Sequence, residues 1–314
     1  MKKTFLSCVM ALTMGLSGHA MAQQASTNYQ ISGVMRVMYV SDKQGAAGAI
    51  NYLSQDASRI TIRGTEQLGD GLRAVFFIDT GISPDTPAAT TIGDRASRFG
   101  LGNKYVLWEV GRSKHSAATT LDNYDPQDAA SPGSSISTIH SNQGNRINNA
   151  TFITVTPLAG LRITYDHAFS EAAGTPATRG AGVEYKTPNF DVKVGHYDNR
   201  LSSSSARQTT NYGAKYRFGK AQLWLLHSDD KVSNVNSTGT TVGVSYKVTE
   251  PTTVFVSSGK KNAATSATDI EAVNVGVWHA LSKRTQLEFR FREDSSNTVS
   301  LNRKQITAGV THRY

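Results

Sequence analysis

Beyond Gln23 the sequence is written with a period of two. Leu287, Phe289 and Phe291 interleave with Glu288, Arg290 and Arg292; Phe190, Val192 and Val194 interleave with Asp191 and Lys193. The same alternation runs through Tyr212–Phe218, Thr241–Val248 and Ile306–Tyr314. Successive strand residues point to opposite faces, so each segment carries one apolar and one polar face. Almost nothing has a helical period. The segments 94–102, 220–228 and 251–259 alternate poorly.

Turn-forming residues interrupt this pattern at regular distances. Short breaks fall at Leu68–Gly71, Gly102-Asn103, Pro157–Gly160, Thr187–Asn189, Phe218–Lys220, Thr249–Pro251 and Ser282-Lys283. Longer polar breaks alternate with them, near 42–56, 82–93, 113–144, 171–177, 199–208, 229–237, 260–267 and 295–302. The rhythm predicts sixteen strands of about ten residues each. Inward apolar faces on so many strands would need a second sheet or covering helices, and the pattern supplies none. Closure into one cylinder removes every sheet edge and satisfies the backbone without water. The apolar faces then meet lipid, and the polar faces line a lumen too wide for side chains to fill. The expected fold is therefore all-β, a 16-stranded antiparallel transmembrane β-barrel with short turns at one end and long loops at the other. Tyr165, Tyr185, Tyr197, Tyr216, Tyr246 and Tyr314 fall near strand ends and are expected to form interfacial girdles.

The N-terminus carries a different signal. Lys2 and Lys3 precede an apolar stretch from Phe5 to Leu16, and Ala20-Met21-Ala22 follows. This is the layout of a secretory signal peptide, predicted to be cleaved after residue 22 and to leave a single domain over 23–314. Its removal lowers the formal net charge from +9 to +7 and takes away Cys8, the one cysteine. That loss suits an oxidising compartment. The only long apolar run is this one at the extreme N-terminus, and mean hydropathy is −0.35, which together exclude a helical membrane protein.

Several stretches resemble a known family. Ser58-Arg59-Ile60-Thr61-Ile62-Arg63-Gly64-Thr65-Glu66-Gln67-Leu68-Gly69-Asp70-Gly71-Leu72-Arg73-Ala74-Val75-Phe76 resembles the second and third strands of general Gram-negative porins, especially the β-proteobacterial type. Arg146-Ile147-Asn148-Asn149-Ala150, with Pro157 and Gly160, resembles their sixth strand; Gly309-Val310-Thr311-His312-Arg313-Tyr314 resembles their C-terminus. There are departures. The fifth strand keeps only Gly111-Arg112, and Arg98 falls where a lipid-facing apolar residue is expected. The resemblance implies an outer-membrane location in a Gram-negative bacterium and a homotrimer. It also implies contact with membrane lipid and lipopolysaccharide, and a C-terminal signal, His312 and Tyr314, read by the barrel-assembly machinery.

It further implies a functional site. The break from Ser113 to Gly144 is too long for an idle connection; in the family this third long loop folds into the channel. Arg59, Arg95 and Arg146 match the family's basic wall, and Arg36, Arg63 and Arg73 on the same polar faces extend it. Asp122, Asp125 and Asp128 are the loop's acidic candidates. Opposed charges set a transverse field that favours polar solutes, and the cationic excess of the faces, with Arg162, Lys193, Lys215, Arg217, Arg290 and Arg292, favours anions.

The expected function is passive diffusion of small hydrophilic solutes and ions. The alternatives are a substrate-specific channel or a barrel-based surface adhesin or receptor. An enzyme is disfavoured. His115, His140, His167, His196, His227, His279 and His312 are scattered singly, with no metalloprotease spacing, and read as solvated or interfacial. No cofactor or metal is expected. Nucleic acid is disfavoured because the basic residues alternate rather than cluster.

Overall fold

A computed structural model describes residues 27–55, 57–86, 91–127, 132–140, 146–171, 177–199 and 207–314. The expected signal peptide and Asp128 lie outside them. The first half of the sheet comprises β1 (Thr27–Gln44), β2 (Ile50–Ser54), β3 (Arg59–Gly69), β4 (Leu72–Gly81), β5 (Ala96–Gly102), β6 (Val106–Lys114), β7 (Arg146–Leu158) and β8 (Leu161–Ala168). The second half comprises β9 (Thr178–Lys186), β10 (Phe190–Asn199), β11 (Arg207–Phe218), β12 (Ala221–Val232) and β13 (Val235–Lys247), then β14 (Thr252–Asn262), β15 (Ile270–Ala280), β16 (Thr285–Ser295) and β17 (Arg303–Arg313). Two helices, α1 (Ser116–Tyr124) and α2 (Ile136–Ile139), interrupt the sheet between β6 and β7.

Every pairing is antiparallel, and β1 closes the sheet by pairing with both β17 and β3. Both β2 and β3 pair with β1, so they form one stave broken at 55–58, where the Ser58 hydroxyl accepts from Arg36 N–H (2.9 Å) and donates to its carbonyl (3.0 Å). The barrel thus has the sixteen staves expected.

Burial is inverted relative to a soluble protein. Val275 and Phe289 are 47% and 52% exposed on the outer face, whereas Arg290 and Arg292, on the inner face, are 1% and 2% exposed. With no water in the hydrocarbon layer, a closed cylinder is the strand arrangement that leaves no N–H or C=O unpaired, and its outward apolar residues replace the packed core. The expected outward girdle holds for Tyr165, Tyr185, Tyr216, Tyr246 and Tyr314. Tyr197 is a correction: it points inward, 6% exposed, and stacks on His115 at 3.9 Å. Arg98 is another. It alternates with outward Phe99 and turns into the lumen, where it pairs with Glu109 at 3.3 Å.

Two expected long loops are tight. β1 and β2 extend the first hairpin until only 45–49 joins them, and β12 meets β13 through Ser233 and Asn234 alone. Both of these residues have positive φ (48° and 70°), the geometry that matches strand twist in a two-residue hairpin. At the far end of the chain, Tyr314 exchanges backbone hydrogen bonds with Gly33 (3.1 and 3.3 Å), and its ring fills the space a Cβ of Gly33 would occupy.

Candidate functional site: a loop-narrowed lumen

The third long loop lies inside the barrel, and it carries the helices that the strand pattern did not show. α1 runs along the inner faces of β8 to β12, and α2 returns across β13 to β15. Its docking is built from small residues on the wall and apolar residues on the loop. A Cβ on Gly213 would sit 2.5 Å from the Tyr124 ring, and one on Gly195 would sit 2.5 Å from the Ser116 carbonyl oxygen. Leu121, Tyr124 and Ile136 of the loop pack on Leu226; Ile139 packs on Ile270 and Ala272.

Polar ties complete the docking. Asp166 of β8 accepts from Ser116 N–H (3.0 Å) and from its hydroxyl, placing a carboxylate at the positive end of α1. Arg290 donates to the Gln127 carbonyl (2.5 Å) and Arg292 to that of Ser134 (2.6 Å). Glu288 and Asp294 balance these two guanidiniums at 2.6 and 2.5 Å. Buried charges are tolerable here because each is paired and hydrogen-bonded.

Two imidazoles fasten the loop at its ends, and both are fully buried rather than solvated or interfacial. His115 caps α1, its Nδ1 accepting from Ala118 N–H at 3.2 Å. His140 follows α2, its ring nitrogens 2.6 Å from the Ser228 hydroxyl and 2.9 Å from that of Thr241. Burial lowers the pKa of each to about 3, helped by Lys114 and Arg207 around His115 and by His227 and Lys261 around His140.

The strands not covered by the loop carry the basic wall. Arg59 and Arg95 share Asp79, at 3.7 and 2.9 Å, and Arg146 Nε donates to the Arg95 carbonyl at 2.5 Å. Asp122 pairs with Lys114 at 2.5 Å and lies within electrostatic reach of Arg146. The structure therefore brings together Arg59, Arg95, Arg146 and Asp122, and adds Asp79 and Lys114.

The other expected residues lie apart. Arg36 is buried among Thr311 (2.9 Å) and Glu288 (3.8 Å). Arg63 lies further toward the β3–β4 turn, its guanidinium 5.9 Å from the Phe77 ring, and Arg73 is nearer still to that turn. Asp125 is turned into the loop, accepting from Gln127 N–H (3.0 Å) and the Ser134 hydroxyl (2.9 Å). Asp79 was legible in principle: it is the acidic residue on the inward face Arg73, Val75, Phe77, Asp79. Lys114 was legible only as the last residue before the loop.

A sealed strand cylinder with an apolar outside, an ionic inside and a loop folded across the bore defines a channel protein of the membrane. The sequence profile of the Gram-negative porin family matches residues 7–298, and the chain belongs to that family. It is similar to outer membrane porin protein 32 of Delftia acidovorans, 25% identical over 98% of this chain and 95% of that one. The fold is similar to the anion-selective porin from Comamonas acidovorans, with TM-score 0.78 and 20% identity over 92% of this chain and 100% of that one. It is also similar to the trimer form of OmpT from Vibrio cholerae, with TM-score 0.71 and 10% identity over 92% and 99% of the two chains. The protein is a passive channel of the outer membrane. The alternative, a substrate-specific channel or a barrel-based surface adhesin or receptor, is not favoured.

Proposed function

We propose that the channel prefers anions and that its selector is the wall of Arg59, Arg95 and Arg146, with Asp122 of the loop held beside it by Lys114. The supporting observation is the imbalance of this cluster. Among the described residues, the ties at this wall join four cations, Arg59, Arg95, Arg146 and Lys114, to two carboxylates, Asp79 and Asp122. A ring with net positive charge lowers the energy of a passing anion and raises that of a cation. The cationic excess of the chain acts in the same direction. Asp79 ties Arg59 and Arg95 to one carboxylate, and Asp122 ties the loop to the same wall through Lys114.

The assembled form is a homotrimer exported through a cleaved signal peptide, 1–22. The Vibrio cholerae neighbour, which has a trimer form, supports the first part, and the basic-apolar-small layout of the leader supports the second. His312 and Tyr314, both exposed at the C-terminus, are the handle for barrel assembly. Lipid and lipopolysaccharide are the surrounding partners.

The test is a planar bilayer under a potassium chloride gradient. The expected result is discrete conductance steps with a reversal potential of anion sign. Replacing Arg59, Arg95 and Arg146 together by Gln shifts that potential toward cations; an unchanged potential refutes the assignment.

A further inference from the structure

Beneath α1, on the side of the short turns, the lumen wall opens into a recess of about 510 Å³. Its floor is Lys186, Asp191, Lys215 and Arg217, and its roof is Asn123 and Tyr124 at the C-terminal end of α1. This recess is separate from the arginine wall, which lies on β3 to β7.

The three cations differ in how they are held. Arg217 is clamped by both oxygens of Asp191, at 3.1 and 2.7 Å. Lys186 pairs with Glu184 at 3.0 Å. Lys215 lies with its ammonium 5.0 Å from the centre of the Tyr124 ring, and among the described residues no carboxylate comes within ion-pair distance of it. An ammonium facing an aromatic ring on one side and an aqueous recess on the other keeps most of its charge for a ligand. The two neighbouring cations are only partly neutralised, because each shares one carboxylate with water: the Lys186 side chain is 49% exposed and that of Arg217 is 38% exposed.

We propose that Lys215, flanked by Lys186 and Arg217, forms a second anion subsite on the short-turn side of the third loop, suited to small oxyanions. The inference rests on the channel reading and extends it. An anion that has passed the arginine wall is received by an ammonium below the loop rather than released directly to bulk water. Two weak sites in series let one anion displace the next. The recess also makes the two mouths unequal, so an oxyanion added at the turn side meets the subsite first.

The test uses the full channel in a planar bilayer, with inorganic phosphate as the probe. Orientation is marked by streptavidin on a biotinylated S282C, a position in the β15–β16 turn. Phosphate added to the turn side should reduce the chloride current at lower concentration than phosphate added to the loop side. A unit charge at about 4 Å in water corresponds to a factor of about five. K215Q should remove the side dependence, and K215R should restore it. Equal block from both sides, or side-dependent block that survives K215Q, overturns the subsite. If the wild type gives no conductance steps, the channel reading fails instead. If K215Q gives no steps, the K215M and K215R pair is read in its place, with the same requirement that side dependence follow the charge.

Discussion

Acidification should loosen the third loop, and the size of the effect follows from its two buried imidazoles. In the docked loop His115 and His140 are neutral, with pKa values lowered from 6.5 to about 3. Once the loop leaves the wall, both rings enter water and titrate normally. The detached form therefore binds protons first as pH falls. Docking is fully supported above pH 6.5 and weakens progressively between 6.5 and 3, by about 1.4 kcal/mol per pH unit for each imidazole. At pH 4.5 each has lost roughly 2.7 kcal/mol relative to neutral pH, a factor of about one hundred in the opening equilibrium. His115 adds a geometric reason, because a proton on Nδ1 removes the acceptor for Ala118 N–H. Hydrogen–deuterium exchange of peptides covering 115–127 and 132–140, normalised to intrinsic rates at each pH, reads the opening directly. The variant H115N keeps a side-chain cap without the titration, and H140Q does the same for the second tie. Asp166, which holds Ser116, is controlled with D166N. The reasoning is refuted if loop protection falls with pH just as steeply in the H115N/H140Q double variant as in the wild type.

Two further outcomes test the docking of the loop. G213V places branched carbon where the Tyr124 ring lies, so α1 should be pushed into the bore and single-channel conductance should drop with the barrel intact. R290A leaves Glu288 buried with its 2.6 Å partner gone and frees the Gln127 carbonyl; thermal unfolding in detergent should show a loss of roughly 3 kcal/mol, and a loss below the error of the measurement would show that the pair is not needed.

The barrel was legible because its physics repeats. Each stave must be apolar on one face and polar on the other, so period-two alternation and the even count of breaks carried the fold. The same physics explains where the pattern failed. Segment 220–228 alternates poorly because Leu226 on its inner face packs under the third loop, and segment 251–259 because Phe255 points inward against Trp278 at 4.5 Å. Irregular staves in the sequence thus trace part of the footprint of the loop and its surroundings. Arg98 lies inward because it alternates with outward Phe99 and Leu101, and its register with Gly111 agrees. Helix α1 does not show in the pattern because its apolar residues, Ala117, Ala118, Leu121 and Tyr124, are few and sit within a polar stretch. His115 and His140 looked idle because the sequence shows neither the stacked Tyr197 nor the two hydroxyls that receive them. Of the site, the three arginines came from resemblance to the family. Asp79, which organises two of them, follows from alternation alone.

The inverted burial underlies all of this, and adjacent positions on β8 probe it most directly. Ile163 is 41% exposed on the outer face, and its neighbour Arg162 lines the lumen beside the loop. The chain's one cysteine, Cys8, lies in the segment 1–22 proposed to be cleaved, so a single nitroxide can be placed at I163C or R162C of the processed chain. In reconstituted vesicles the label at 163 should relax with oxygen dissolved in the acyl chains and resist a water-soluble nickel complex, whereas the label at 162 should do the reverse. Equal access of the nickel complex to both positions, or its exclusion from 162, would contradict a lipid-facing exterior around an aqueous bore.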